Sequence, residues 1–332
     1  MYLQLDILYE VSLYLSTHDI LSFSFASQYF YRNILNNKSI MLKHCFTVKS
    51  NILSLKFLSN LSYKILNLNI SNCNNITDDD FNYLKNLYTL NMSECNQNTI
   101  TNRAFENLRG IYGLNMSGCR QNTITDKSFE YLKGIQILYM DNCYQNTITD
   151  KAFEYLRGIH TLDISGCRQN TITDKAFTNL KGIHTLYMDG CSQQTITGNA
   201  FQHLTGIKVL HIDCCDQDSI NDKAFEYLKG IHTLSMVRCT QNTITDRAFE
   251  HLKGIHSLNM SQCNQHTITD NTFYYLKGIN SLGMVNCNQV TITGKIFEHL
   301  HGIISLYIKF CDQIKITEEI LDKLQNIPDL IM

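Results

Sequence analysis

The sequence predicts an α/β solenoid, a stack of short strand-turn-helix turns, and three observations predict it. Cys95, Cys119, Cys143, Cys167, Cys191, Cys215, Cys239, Cys263, Cys287 and Cys311 recur every 24 residues, with Cys73 placed 22 residues ahead of them. Within each unit the apolar spacing changes from alternate residues before the cysteine to three residues apart after it. A glycine then recurs at one position, from Gly110 to Gly302. One such unit cannot bury its apolar face alone, so units of this length stack and complete each other's core. The expected architecture is right-handed, with about eleven turns, parallel strands before the cysteines and short helices on the opposite side.

The unit from Gly158 to Lys181 shows each element in order. Leu162 and Ile164 alternate with Thr161, Asp163 and Ser165, the period of a strand with one buried face. A polar turn follows Cys167. Thr173 or Asp174 is placed to cap a short helix, and Phe177 and Leu180, three apart, share its inner face. Gly182 should end the helix in the left-handed conformation that glycine adopts at little cost. Asn86 stands at that place in an early unit, and asparagine tolerates the same conformation.

Composition excludes several classes of function. With 28 basic and 30 acidic residues among 332, the chain lacks the basic stripe by which proteins displace counterions from nucleic acid. The opening has no basic segment ahead of its apolar stretch, and Asp6 and Glu10 interrupt it, which argues against a signal peptide. No run of about 18 apolar residues suggests a membrane span. The expectation is a cytoplasmic or nuclear protein, not secreted, whose 13 cysteines stay reduced. No nucleic-acid or membrane partner is expected.

The repeated polar columns favour structural readings. The cysteines read as small buried residues at strand ends, and they lack the paired spacing of zinc ligands. His160, His184, His232 and His256 form a column before the strands, but Tyr112, Gln136, Lys208 and Asn280 share it. The column from Gln97 to Gln313 suggests amides bonded to one another along a ladder. No nucleophile elbow, phosphate-binding loop or H-E-x-x-H helix occurs. The chain is therefore expected not to be an enzyme, with no catalytic residues, metal or cofactor.

What varies between units is the outward side of each strand. Tyr139, Asp141, Asp163, Tyr187, Asp189, His211 and Asp213 lie there, with Tyr144 and Arg168 just past the strands. Tyrosine and arginine are enriched at protein interfaces. These nine residues are the candidate target-binding set, for a protein whose identity the sequence does not give.

The strand-plus-cysteine segment resembles the cysteine-containing class of leucine-rich repeats: Cys73-Asn74-Asn75-Ile76-Thr77-Asp78 matches its C-x-x-I-T-D signature. Later units insert two residues, as in Cys119-Arg120-Gln121-Asn122-Thr123-Ile124-Thr125-Asp126. Residues 3–35 resemble an F-box. Leu3-Gln4-Leu5-Asp6-Ile7-Leu8 parallels its opening, with Gln4 where proline is usual. Ser16-Thr17-His18-Asp19 reads as turn and cap, and Phe30 stands where tryptophan is common. The chain is thus similar to the F-box/leucine-rich-repeat family of eukaryotes and amoebal giant viruses. That resemblance implies a helical domain over 1–44 and a horseshoe-shaped solenoid over 45–332, with a degenerate first turn around Leu53, Leu55, Leu58 and Leu61. It also implies a substrate-recognition subunit of a cullin-type ubiquitin ligase. Leu3, Ile7, Leu8, Val11, Leu15, Ile20 and Leu21 would dock on a Skp-type adaptor. The alternative is a stand-alone protein-binding scaffold whose N-terminal helices only cap the solenoid.

Overall fold

The computed structural model describes residues 10–12, 14–16, 19–20, 28–35, 37–47 and 66–332. They form two compact units, residues 1–148 and 149–332. In the first, two helices, Gln28–Leu35 and Lys38–Met41, precede strands β1 (Cys45–Thr47), β2 (Asn67–Asn69), β3 (Thr89–Asn91), β4 (Gly113–Asn115) and β5 (Ile137–Tyr139). The second holds β6 (Thr161–Asp163), β7 (Thr185–Tyr187), β8 (Val209–His211), β9 (Thr233–Ser235), β10 (Ser257–Asn259), β11 (Ser281–Gly283), β12 (Ser305–Tyr307) and β13 (Asp329–Ile331). Within each unit sequential strands pair in parallel and in register, as Leu68 with Leu90 and Leu90 with Leu114, or Leu186 with Leu210 and Leu210 with Leu234.

Strands β2–β12 each lead to one column cysteine, as the period predicts. β1 and β13 add a strand at either end that no column cysteine marks. The residues expected to form a degenerate turn, Leu53 to Leu61, lie outside the described residues.

The repeated unit folds as its two periodicities require. Leu162 and Ile164 are fully buried, as are Phe177 and Leu180. Thr173, rather than Asp174, is the helix cap, accepting the Lys175 N–H at 3.2 Å. Gly182 takes φ +87° and Asn86 φ +65°, left-handed as expected, but neither ends the helix: the helical segments close earlier, at Phe177 and Tyr83, and these residues lie in the turn that follows. The residue before each column cysteine is left-handed as well: Gly118, Gly166 and Gly190, but also Asn72, Cys214, Arg238 and Phe310. Side chains with a Cβ pay a steric cost there, so the turn geometry is imposed by strand pairing on both sides rather than by residue preference.

The polar columns are spent on joining one turn to the next. Buried cysteine thiols donate to a carbonyl in the preceding turn, as Cys191 to Ile164 at 3.1 Å and Cys263 to Met236 at 3.0 Å, each 27 residues back, and Cys95 to Ile70 25 residues back. Burial pushes the Cys95 thiol up to about 11 and those of Cys215 and Cys287 up to about 12. The I-T-D segment has a similar role. Thr197 donates both its N–H and its hydroxyl to the Asp174 carboxylate at 2.7 and 2.6 Å, and Thr245 does the same to Asp222. The glutamine ladder differs from expectation. Gln121, Gln193 and Gln217 donate to the carbonyls of Cys95, Cys167 and Cys191 at 3.0, 3.0 and 2.8 Å. These amides meet turn carbonyls, for which burial without a hydrogen bond is costly, rather than other amides.

This arrangement makes thiol chemistry selective. Cys45 and Cys214 are exposed and the other eleven cysteines are buried. Treatment of the folded chain with iodoacetamide should alkylate Cys45 and Cys214 alone, because reaction needs an accessible thiolate. Peptide mapping by mass spectrometry checks this, and alkylation of a column cysteine before denaturation would contradict it.

The candidate protein-binding face

The site residues follow from how each strand ends. The last strand residue in many turns is Asn or Asp, and its side chain accepts the backbone N–H two residues on. Asn69, Asn91 and Asn115 do so at 2.9, 3.0 and 2.9 Å, and Asp163 bonds Ser165 at 2.9 Å. This local bond starts the turn. Where Tyr187, His211, Ser235 and Gly283 replace that residue, a side chain from the preceding turn meets the orphaned N–H. Ser165 accepts from Asp189, Asp189 from Asp213, Asp213 from Val237, and Ser261 from Val285. The aromatic and imidazole side chains are thereby released from turn formation and stand on the strand face.

In the unit spanning 149–332, four of the expected target-binding residues come together. The Tyr187 and His211 rings meet edge to face, centroids 4.7 Å apart. Asp189, His211 and Asp213 lie close enough for their polar atoms to fall within 4.8 Å of one another. All are half-buried. Burial pushes the Asp189 carboxyl up, and the charges of Asp213 and Asp163 add to the shift while His211 opposes it. Asp163 pairs in register with Tyr187. Arg168 stands aside, exposed, its Nε donating to the Gly190 carbonyl at 3.1 Å.

In the unit spanning 1–148, Tyr139 ends β5 with 36% of its surface exposed. It lines a groove of about 240 Å³ with Asn91, Gly113, Asn115 and Ile137. Gly113 opens that groove: a Cβ there would meet Thr89 Cγ2 at 3.3 Å. Asp141 is half-buried and accepts the Ser117 hydroxyl. Tyr144 is exposed beneath the Arg120 guanidinium, 5.0 Å from its ring centre. Asn91 and Asn115 occupy the same strand position as Tyr139, but an asparagine has neither ring nor charge to mark it as a contact in the sequence.

The histidine column stacks. His160 lies over His184 with centroids 4.5 Å apart, and His232 over His256 at 4.0 Å, both nearly parallel. Imidazole lone pairs lie in the ring plane, so stacked rings do not aim at a shared ion.

Of the expected adaptor contacts, Leu3, Ile7, Leu8 and Leu21 lie outside the described residues. Val11 is 44% exposed. Ile20 is fully buried with Ile34 and Ile40, and Leu15 and Phe30 pack against them. Ile20 therefore faces its own chain. Ser16 and Asp19 bond reciprocally, Ser16 N–H to the Asp19 carboxylate at 3.2 Å and Asp19 N–H to the Ser16 hydroxyl at 3.2 Å, the capping pair expected of that turn. Asn67 donates to the Leu42 carbonyl at 2.7 Å, tying β2 to the end of the second helix.

Stacked parallel strands with a buried inter-turn ladder and a variable outer strand face define a leucine-rich-repeat scaffold. The chain belongs to the family described as BspA type leucine rich repeat region, which matches residues 62–184, 117–231 and 194–327 in six copies. The match takes in none of residues 3–35. No curated protein matches the chain. Among solved structures it is similar to a TLR13 complex with the single-stranded RNA ssRNA13, at 16% identity and a TM-score of 0.56 over 78% of this chain and 39% of that one. It is also similar to the Drosophila Toll–Spatzle complex, at 13% identity and a TM-score of 0.53 over 81% of this chain and 44% of that one. The chain spans less than half the length of either, and at these identities the likeness is one of fold. Among the described residues no helix is long and apolar enough to cross a membrane.

Proposed function

We propose that this chain is a protein-binding scaffold whose strand face receives a segment of another protein and which performs no chemistry itself. One observation carries this reading: the polar residues that recur from turn to turn make the inter-turn hydrogen bonds, whereas Tyr139, Tyr187 and His211 replace the turn-forming Asn or Asp at the strand end. Half-buried aromatic groups beside carboxylates suit a basic residue flanked by apolar ones.

The finer reading is that residues 1–44 form an F-box-like helical domain ahead of the solenoid over 45–332. It would dock on a Skp-type adaptor, making the chain the substrate-recognition subunit of a cullin-type ubiquitin ligase in the cytoplasm or nucleus. Its support is the resemblance over residues 3–35 and the exposure of Val11. The buried Ile20–Ile34–Ile40 cluster favours the alternative, in which these helices cap the first strands, since a solenoid end needs such a cover.

The full chain carrying Leu8→Asp and Val11→Asp separates the two. On the ligase reading, adaptor recovered by affinity purification and mass spectrometry falls by at least about tenfold, since two charges enter an apolar contact, while captured target stays constant. Target capture without adaptor from the parent chain leaves the scaffold reading alone standing. Failure to capture any protein that depends on Tyr139 or Tyr187 overturns the scaffold reading itself.

A further inference from the structure

We propose that Asp189, His211 and Asp213 form a binding site for one divalent transition-metal ion, of the Zn²⁺ class, on the strand face. The site does not depend on the protein-binding reading. The three residues come from two adjacent turns, at and just beyond the ends of β7 and β8, and present one imidazole and two carboxylates. Their ligand atoms all lie within 4.8 Å of one another. Ligands on a tetrahedral Zn²⁺ stand about 3.3 Å apart for bonds of about 2.0–2.1 Å, so the set closes by about 1.5 Å at most when an ion binds.

The carboxylates are held as ligands are usually held. Asp189 Oδ1 accepts the Asp213 N–H at 2.8 Å. Asp213 Oδ1 accepts the Ser235 hydroxyl at 2.6 Å and the Val237 N–H at 2.8 Å. Both Oδ1 atoms are therefore fixed by neighbours, as supporting partners fix metal ligands. Among the described residues the Oδ2 atoms of Asp189 and Asp213 carry no protein hydrogen bond. The Tyr187 ring meets His211 edge to face and orients the imidazole.

Charge gives the second reason. Half-buried carboxylates repel one another, and Asp163 adds to the field at Asp189. Among the described residues neither Asp189 nor Asp213 forms an ion pair with lysine or arginine, and Arg168 spends its Nε on the Gly190 carbonyl. A divalent cation neutralises this cluster. The mixed imidazole and carboxylate set favours Zn²⁺ and its neighbours over Mg²⁺ or Ca²⁺, which prefer oxygen ligands alone. Three protein ligands leave coordination positions open to water or to a group on a bound partner.

The test is titration of ZnCl₂ into the full chain by calorimetry at pH 7. All proteins carry Cys214→Ser, which removes the exposed thiol beside Asp213. The site predicts one saturable Zn²⁺ per chain. His211→Asn and Asp213→Asn should each weaken binding by at least about tenfold, and His232→Asn should leave it unchanged. Asparagine at 213 retains an acceptor for Ser235 and Val237, and unchanged thermal unfolding without metal shows that each variant folds. With Co²⁺ in place of Zn²⁺, the visible d–d absorption should be lost in His211→Asn. Absence of saturable binding below about 100 µM, equal binding in His211→Asn, or a site that follows His232 overturns the proposal.

Discussion

Replacing Phe177 with alanine should destabilise the chain by about 3–5 kcal/mol, the range for removing a fully buried phenylalanine. Phe177 has no exposed surface, and it belongs to a column with Phe153, Phe201, Phe225 and Phe249, all equally buried. Within this column the Phe225 ring packs against Phe249 with centroids 6.4 Å apart. Stacked turns complete one another's core, so a hole opened in one turn is not readily refilled by local collapse. Tyr274→Ala is the control. Its ring is 55% exposed, and its loss should cost about 0.5 kcal/mol or less. Urea unfolding followed by circular dichroism measures both. Equal losses for the two variants would show that the phenylalanine column is not the core of the stack.

The double variant Tyr139→Ala, Tyr187→Ala should weaken target binding by at least about 2 kcal/mol, roughly thirtyfold, the scale of interface hot spots. Each tyrosine is a large partly exposed ring on the strand face of its own unit, and each sits where a turn-forming Asn or Asp would otherwise stand. Thermal stability should change little, because neither side chain belongs to the buried column. Calorimetry with a target captured by the parent chain decides the matter. Unchanged affinity would move the site to the C-terminal turns around Val237, Val285 and Phe310, of which Phe310 is 61% exposed.

Much of the fold was legible because its determinants are local. Leu162 and Ile164 alternate with polar residues, so the strand and its buried side follow from backbone pleat alone. Gly182 and Asn86 mark the left-handed turn between helix and strand because a single residue's φ decides it. The left-handed residue before each cysteine was harder to read. Gly118, Gly166 and Gly190 signal it, but Arg238 and Phe310 at the same place conceal it. The N-terminal helices show the limit of reading an apolar pattern as a surface. Ile20 has the spacing of an adaptor contact and is buried against Ile34 and Ile40.

The sequence by itself determined the period, the order of strand and helix within it, and the residues forming the core, since each depends on neighbours a few positions away. Only the tertiary structure decided where the polar columns go. The Cys191 thiol finds its acceptor 27 residues back, Gln217 26 residues back, and Thr197 23 residues back. Those pairings depend on how one turn lies upon the next, which no local preference encodes. The same holds for Asp189, His211 and Asp213. Strand register between adjacent turns brings them together, and the replacement of a turn-forming residue by His211 passes the task of satisfying a backbone N–H to an aspartate in the turn before.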